Sequence, residues 1–106
     1  SNVFISITIM INKPVLFSLK KDVKMKQLKN FFKLNRNKNC IIKFENNDNI
    51  KDVFIKEIKK FNTNHKKTIV IISKNLTLEK FINIAPTFKE ALDIIEIEEI
   101  ERSLEI

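Results

Sequence analysis

Two short apolar runs, Cys40–Phe44 and residues 68–72, constrain the fold of this chain more than any other feature of its sequence. Successive side chains of a strand point to opposite faces of a sheet, so a run that does not alternate is buried on both faces. Strands of this kind are typical of parallel sheets that carry helices on both sides. We therefore predict that both runs are inner strands, with residues 68–72 the most buried.

Strand and helix patterns alternate along the rest of the chain. Residues 3–11 carry Val or Ile at every second position, and with Val15–Leu19 they are predicted to form an antiparallel hairpin. Helices are predicted over residues 25–34, 50–61, 77–82 and from residue 88 onward, with a stub of strand at 84–85. Thr87 and Glu90 form a capping box at the start of the last helix. This order predicts an α/β fold, with a mixed, mostly parallel sheet of four or five strands, an N-terminal hairpin and crossover helices.

The length of 106 residues is enough for one hydrophobic core. We predict a single domain over residues 1–106, and interpret Ser1 and Asn2 as the remnant of a cleaved tag. Apolar stretches such as Ile69–Ile72 are far shorter than the ~20 residues that span a bilayer. No basic and apolar leader opens the chain, so a cytoplasmic location is expected.

Glycine is absent from the sequence, and there is one histidine and one cysteine. Phosphate-binding loops and the nucleophile turn of hydrolases need glycine, because it adopts positive φ and lets the backbone come close to a ligand. Both kinds of glycine-based site are therefore excluded. A Cys–His pair would require Cys40 and His65 to meet, and we expect them to lie far apart, because one begins a buried strand and the other sits in a polar loop. We predict no catalytic residues, no metal and no cofactor, and hence a protein that is not an enzyme.

Charge is distributed unevenly along the chain. Residues 1–67 hold 16 basic and 5 acidic side chains, a net charge of +11, whereas residues 68–106 hold 4 and 8, a net charge of −4. The Lys-rich helices predicted around residues 20–33 and 51–60 could attract phosphate backbones. Arg36 is the one arginine of this half, and the phenylalanines between the lysines occupy apolar helix stripes. A solvated basic face therefore explains the lysines better than a nucleic-acid interface does.

The predicted C-terminal helix carries more apolar residues than one sheet face can cover. One stripe contains Phe88, Leu92 and Ile95, and an adjoining stripe contains Ile94, Ile97, Ile100 and Leu104. We predict that Ile97, Ile100 and Leu104 support self-association, with a homodimer as one form, or docking to a larger assembly. The alternative is that the last turns of the helix fray.

The order of elements, together with the segment I-A-P-T-F-K-E-A-L-D-I-I-E-I-E-E-I-E-R-S-L-E at residues 84–105, resembles STAS domains, the family of anti-sigma factor antagonists. The resemblance covers most of the chain in topology and residues 69–104 in sequence. In that family a strand like T-I-V-I-I is followed by a short helix and then by an F-P-T-x-x-E-A-L turn into the last helix. The resemblance implies a non-enzymatic regulatory module that binds a protein partner, an anti-sigma-type or related regulator.

The family's phosphorylation turn, an I-D-S-S-G-L-like segment before the second helix, is altered in this chain. The matching residues are Asn49, Ile50, Lys51, Asp52, Val53 and Phe54, with no serine, threonine or glycine among them. The resemblance places the partner-binding surface on these residues, and Asp52 where the family has its phosphorylated serine. Asp52 could partly imitate a phosphate. The interpretation we favour is that its carboxylate only stabilises the start of the helix.

Three non-enzymatic functions remain after these exclusions. The leading one is a regulatory protein-interaction module of STAS type that uses the start of the second helix. The alternative is a small basic nucleic-acid-binding α/β domain that uses the Lys-rich helices. A degenerate receiver-like signalling domain is less well supported, because the acidic pair expected after a first strand is missing.

Overall fold

The computed structural model of the protein describes residues 13–45, 52–74 and 82–104. Within these ranges the strands are β1 (Val15–Leu19), β2 (Cys40–Phe44), β3 (Ile69–Ile72) and β4 (Asn83–Ala85). The helices are α1 (Met25–Leu34), α2 (Asp52–Asn64) and α3 (Phe88–Leu104). None of these helices is long and apolar enough to cross a membrane.

The four described strands form one sheet in the order β1-β2-β3-β4, and every neighbouring pair is parallel. Cys40 of β2 is in register with Val15 of β1 and with Ile69 of β3. The predicted α/β class is therefore confirmed, as are the two inner strands. The predicted hairpin partner at residues 3–11 and nearly all of the predicted helix at 77–82 lie outside the described residues.

One face of the sheet packs against α1 and α2. Cys40, Ile42 and Phe44 of β2 point to this face, together with Ile69 and Ile71 of β3. Leu28 and Phe32 of α1 and Phe54 and Ile58 of α2 complete this part of the core. Both helices lie on the same face because successive right-handed crossovers between sequential parallel strands return to the same side of a sheet.

The other face of the sheet packs against α3. Ile41, Val70 and Ile72 point to this face, where they contact Ala91 and Ile95 of α3. With helices on both faces, the apolar runs of β2 and β3 are buried on both sides, as their lack of alternation predicts. The result is a three-layer α/β/α arrangement.

The helix starts follow local hydrogen bonding. The Thr87 hydroxyl accepts a hydrogen bond from the backbone N–H of Glu90 at 3.2 Å, which confirms Thr87 as the N-cap of the predicted capping box. At α1 the Gln27 side-chain oxygen accepts from the backbone N–H of Lys24 at 2.8 Å. The Ile-Glu-Ile-Glu run at residues 95–98 lies within α3, as predicted, and is not a strand.

The buried centre of the sheet should dominate stability. We expect Ile71→Ala to lower the free energy of unfolding by about 2–5 kcal/mol, because it removes a fully buried side chain from a strand that is covered on both faces. The matched control is Ile97→Ala, which changes an isoleucine that is 56% exposed and should cost about 0.5 kcal/mol or less. Urea denaturation of the two variants measures the difference. Equal losses would show that the core is placed wrongly.

Candidate functional site

The predicted partner-binding residues fall only partly within the described structure. Asn49, Ile50 and Lys51 lie outside the described residues. Asp52 and Val53 form the start of α2, and both are exposed, Val53 to 56%. Phe54, in contrast, is buried in the core beneath α2 and belongs to the packing of the fold. The surface that α2 offers at its start is therefore Asp52 and Val53, held in place by Phe54.

The start of α2 lies at the carboxyl edge of the sheet, because the chain enters α2 after leaving the end of β2. A shallow pocket of about 490 Å³ lies at the same edge, where Lys43 and Ser73 meet the beginning of α3. Leu16 and Phe88 also line it, and each leaves about half of its surface exposed. Ligands of open α/β sheets bind at this edge.

The prediction that Cys40 and His65 lie far apart is wrong. The Cys40 sulfur lies 4.0 Å from Nε2 of His65. His65 follows the end of α2 and precedes β3, and Cys40 begins β2, so both residues lie at the amino edge of the sheet. Parallel pairing of β2 with β3 brings these two starting points together.

The Cys40–His65 contact is not an activated nucleophile. Nε2 of His65 lies 2.7 Å from the carbonyl oxygen of Lys38, and a carbonyl can only accept, so Nε2 carries the proton. It therefore has no lone pair for the Cys40 thiol, which lies 3.4 Å from the same carbonyl. Burial raises the pKa of Cys40 to about 12, and the charge of Lys38 lowers it only in part. The thiol stays protonated at neutral pH.

A buried polar network at the amino edge was not found by sequence reasoning. Its centre is Glu99 of α3, which is only 7% exposed. The same carboxylate oxygen of Glu99 accepts three hydrogen bonds. The donors are Asn39 at 3.1 Å, Lys67 at 3.2 Å and Arg102. We call the set formed by Glu99, Arg102, Asn39 and Thr68 the amino-edge clamp.

The amino-edge clamp joins α3 to the beginnings of the two inner strands. The Asn39 side-chain oxygen accepts from the backbone N–H of Thr68 at 3.0 Å and from Arg102 at 3.2 Å. Arg102 also donates to the Thr68 hydroxyl at 2.8 Å, and that hydroxyl donates to Glu98 at 2.8 Å. Glu98 in turn accepts from Asn83 of β4 at 3.0 Å. Three strands and one helix are thus fixed to one another by side chains.

The clamp changes the acidity of Glu99. Burial alone would raise the pKa of this carboxyl, but hydrogen bonds from Arg102, Asn39 and Lys67, reinforced by the charge of Arg102, hold it below its usual value. Glu99 is therefore ionised in the folded protein at neutral pH. The spacing of Glu99 and Arg102, three residues apart on one helix, is the sequence signal that could have revealed the pair.

The predicted self-association residues differ in exposure. Ile97 is 56% exposed and Leu104 77%, whereas Ile100 is half-buried. Ile94 of the same stripe packs against the core. The helix α3 continues through Leu104.

The Lys-rich helices form a groove on the opposite side of the molecule from α3. We call this the basic groove: Lys29 and Arg36 line it from α1 and the turn that follows, and Lys60 and Lys66 line it from α2 and the turn that follows. Glu57 is the one acidic residue of its lining, and the groove has a volume of about 690 Å³. Phe32 and Phe61 also line it, with their rings stacked at 4.8 Å.

Within the described residues, no group of three or more His, Cys, Asp or Glu side chains is placed to hold a metal ion. No protein-family model, no curated protein and no solved structure matches this chain. The candidate surfaces are the start of α2, the basic groove and the exposed side of α3.

The lowered pKa of Glu99 predicts a pH-dependent contribution of the clamp to stability. An ionised Glu99 favours folding, so its contribution is complete above the ordinary carboxyl pKa of 4.5 and is lost as the pH falls through the lower pKa of the folded state. We expect Glu99→Gln to cost about 1–3 kcal/mol at pH 7 and progressively less in more acidic solution. Chemical denaturation at several pH values measures this difference.

The control for this prediction is Glu101→Gln, which changes an exposed carboxylate two residues away on the same helix. It should have little effect at any pH. A Glu99→Gln cost that stays constant between neutral and strongly acidic solution would contradict the assignment of the ionised carboxylate to the clamp.

Proposed function

We propose that this protein is a non-enzymatic regulatory module, similar to STAS domains, that binds a protein partner through the start of α2. The observation that carries the proposal is the exposure of Asp52 and Val53 directly beside the buried Phe54. Protein interfaces combine apolar contacts with a polar rim, and the exposed Val53 beside the carboxylate of Asp52 offers both. Asn49, Ile50 and Lys51 are proposed as the remainder of this surface.

The position of this surface supports the proposal. The start of α2 lies at the carboxyl edge of the sheet, whereas the amino edge is occupied by the clamp and by the Cys40–His65 contact. A protonated Cys40 and a histidine committed to the Lys38 carbonyl favour a binding role over nucleophilic catalysis at that contact. The carboxyl edge is therefore the edge at which we place recognition, in a protein that we take to be cytoplasmic.

Asp52 shapes how such a module would be regulated. It is the acidic residue of the first turn of α2, where a carboxylate is favourable by about 0.3–1 kcal/mol. It has no hydroxyl that a kinase could phosphorylate. We therefore propose that the partner, an anti-sigma-type or related regulator, binds without a phosphorylation switch at Asp52.

Site-specific photo-crosslinking tests this surface. With a photoreactive amino acid in place of Val53, we expect a cross-link to one protein in cells, and with the same group at Thr63 we expect none. Thr63 is a matched control because it is exposed near the far end of the same helix. Excess native protein should suppress the cross-link, and an excess of the Asp52→Lys/Val53→Lys variant should not. Equal cross-links from both positions, or equal competition by both proteins, would contradict the proposal.

Nucleic-acid binding is a second candidate function, favoured by the basic groove. Its lining carries Lys29, Arg36, Lys60 and Lys66 against Glu57 alone, and such a groove can follow a phosphate backbone. The arrangement of the aromatic residues favours it less. Phe32 is buried and Phe61 half-buried, so both rings serve the core before they could stack on a base.

Salt dependence separates this second candidate from protein recognition. If the groove binds nucleic acid, the affinity for a fluorescent single-stranded oligonucleotide should fall steeply with salt, and Lys29→Gln/Lys60→Gln should reduce the slope by about 1 per lost phosphate contact. The control Lys20→Gln/Lys21→Gln removes the same charge from an exposed turn at the other edge of the sheet. Equal slopes for the two variants would exclude the groove as the binding surface.

A further inference from the structure

The outer side of α3 combines acidic and apolar residues on one face. Residues at helical spacing, namely Glu90, Asp93, Ile97, Glu101 and Leu104, share this face, and all five are exposed. We call them the acidic ridge. The opposite side of α3 is occupied by Ala91, Ile95 and Glu99, which face the sheet and the clamp. No residue of the acidic ridge contributes to the core or to the clamp.

The acidic ridge and the basic groove lie on opposite faces of the same sheet. Three carboxylates on the ridge face outward on one side, and four cationic side chains with one carboxylate line the groove on the other. We propose that the acidic ridge of one copy of this chain docks into the basic groove of a second copy. The occupant of the groove is thus another molecule of the same protein, in a head-to-tail arrangement.

The groove is shorter than α3, so only part of the ridge would lie in it. Residues 93–104 of α3 span about 17 Å, and the groove lies between α1, with 10 residues or about 15 Å, and α2, with 13 residues or about 20 Å. A helix packs well along the line between two others, where its side chains enter the space between theirs. Ile97 and Leu104 would contact Phe61, while Asp93 and Glu101 would approach Lys29 and Lys60.

Charge decides between this arrangement and a symmetric one. In a two-fold dimer built from α3 alone, the carboxylates of one ridge would face those of the other, and like charges across an interface are unfavourable. In the head-to-tail arrangement the carboxylates of each ridge face the cationic side chains of a groove. The exposed apolar residues predicted for self-association, Ile97 and Leu104, therefore fit the groove better than they fit their own copies.

The proposed contact has a consequence for stoichiometry. A heterologous contact between two different surfaces leaves one free surface at each end of the assembly. Because the two surfaces lie on opposite faces of the sheet, successive copies would stack in one direction. Small interfaces are typical of transient complexes, so we expect this association to be weak.

Paired charge-reversal variants test the proposal in sedimentation experiments. The ridge variant is Asp93→Lys/Glu101→Lys, and the groove variant is Lys29→Glu/Lys60→Glu. For the native chain we expect an average mass that rises with concentration beyond that of a dimer and falls with added salt. Each variant alone should associate at least about tenfold more weakly. An equimolar mixture should recover the association, because the intact ridge of the groove variant meets the intact groove of the ridge variant, and the two reversed surfaces also carry opposite charges.

Two further variants control for the change in net charge. Asp22→Lys/Glu45→Lys matches the ridge variant in residue types, and Lys20→Glu/Lys21→Glu matches the groove variant, all at exposed positions away from both surfaces. Both controls should associate like the native chain. Thermal unfolding of all four variants verifies that they are folded, which the exposure of the changed residues leads us to expect.

Three results would overturn the proposal. The native chain could remain monomeric at all concentrations, including while it binds an oligonucleotide through the groove. The groove variant could associate as well as the native chain, which would indicate a symmetric contact through α3. Finally, the mixture of the two variants could fail to recover the association. The test does not involve the start of α2, so it stands apart from the experiment on Val53.

Discussion

Parallel pairing of β2 with β3 holds the sheet and both layers of helices together. Residues 40–42 and 69–71 are fully buried, because α1 and α2 cover one face of this pair and α3 covers the other. The apolar area that the pair removes from water is the main source of stability in a chain this short. The same pairing brings the beginnings of both strands to one edge, where Asn39 and Thr68 meet α3.

Much of the fold could be predicted from local patterns. Cys40–Phe44 and Ile69–Ile72 show in their apolar runs that they are buried on both faces, and Thr87 with Glu90 shows where α3 begins. The Cys40–His65 contact could not be found in this way, because it depends on strand register. Glu99 was missed for a related reason. A glutamate in a helix pattern is read as exposed, and its burial depends on Arg102, Asn39 and Lys67, which come from three separate segments of the chain.

The candidate surfaces could likewise be predicted only in part, because some of their features depend on contacts between distant segments of the chain. The exposure of Asp52 and Val53 agrees with their predicted place in recognition, whereas Phe54 is part of the core because it lies on the side of α2 that faces the sheet. The lysines of α1 and α2 were recognised in the sequence as a basic set. Their meeting in one groove, and the placement of the acidic helix on the other face, follow from the crossover topology. The net charge of +7 does not show that basic and acidic residues lie on opposite faces of the sheet.

The amino-edge clamp fixes the last turns of α3 to the beginnings of the inner strands. Glu98, Glu99 and Arg102 of α3 bond to side chains of Asn39, Thr68 and Asn83, which lie where β2, β3 and β4 begin. One substitution at Asn39 would therefore remove bonds to the helix and to the neighbouring strand together. Exposed loops tolerate sequence change more readily than buried positions of this kind, so the orientation of α3 on the sheet is most sensitive to changes at Asn39, Glu99 and Arg102.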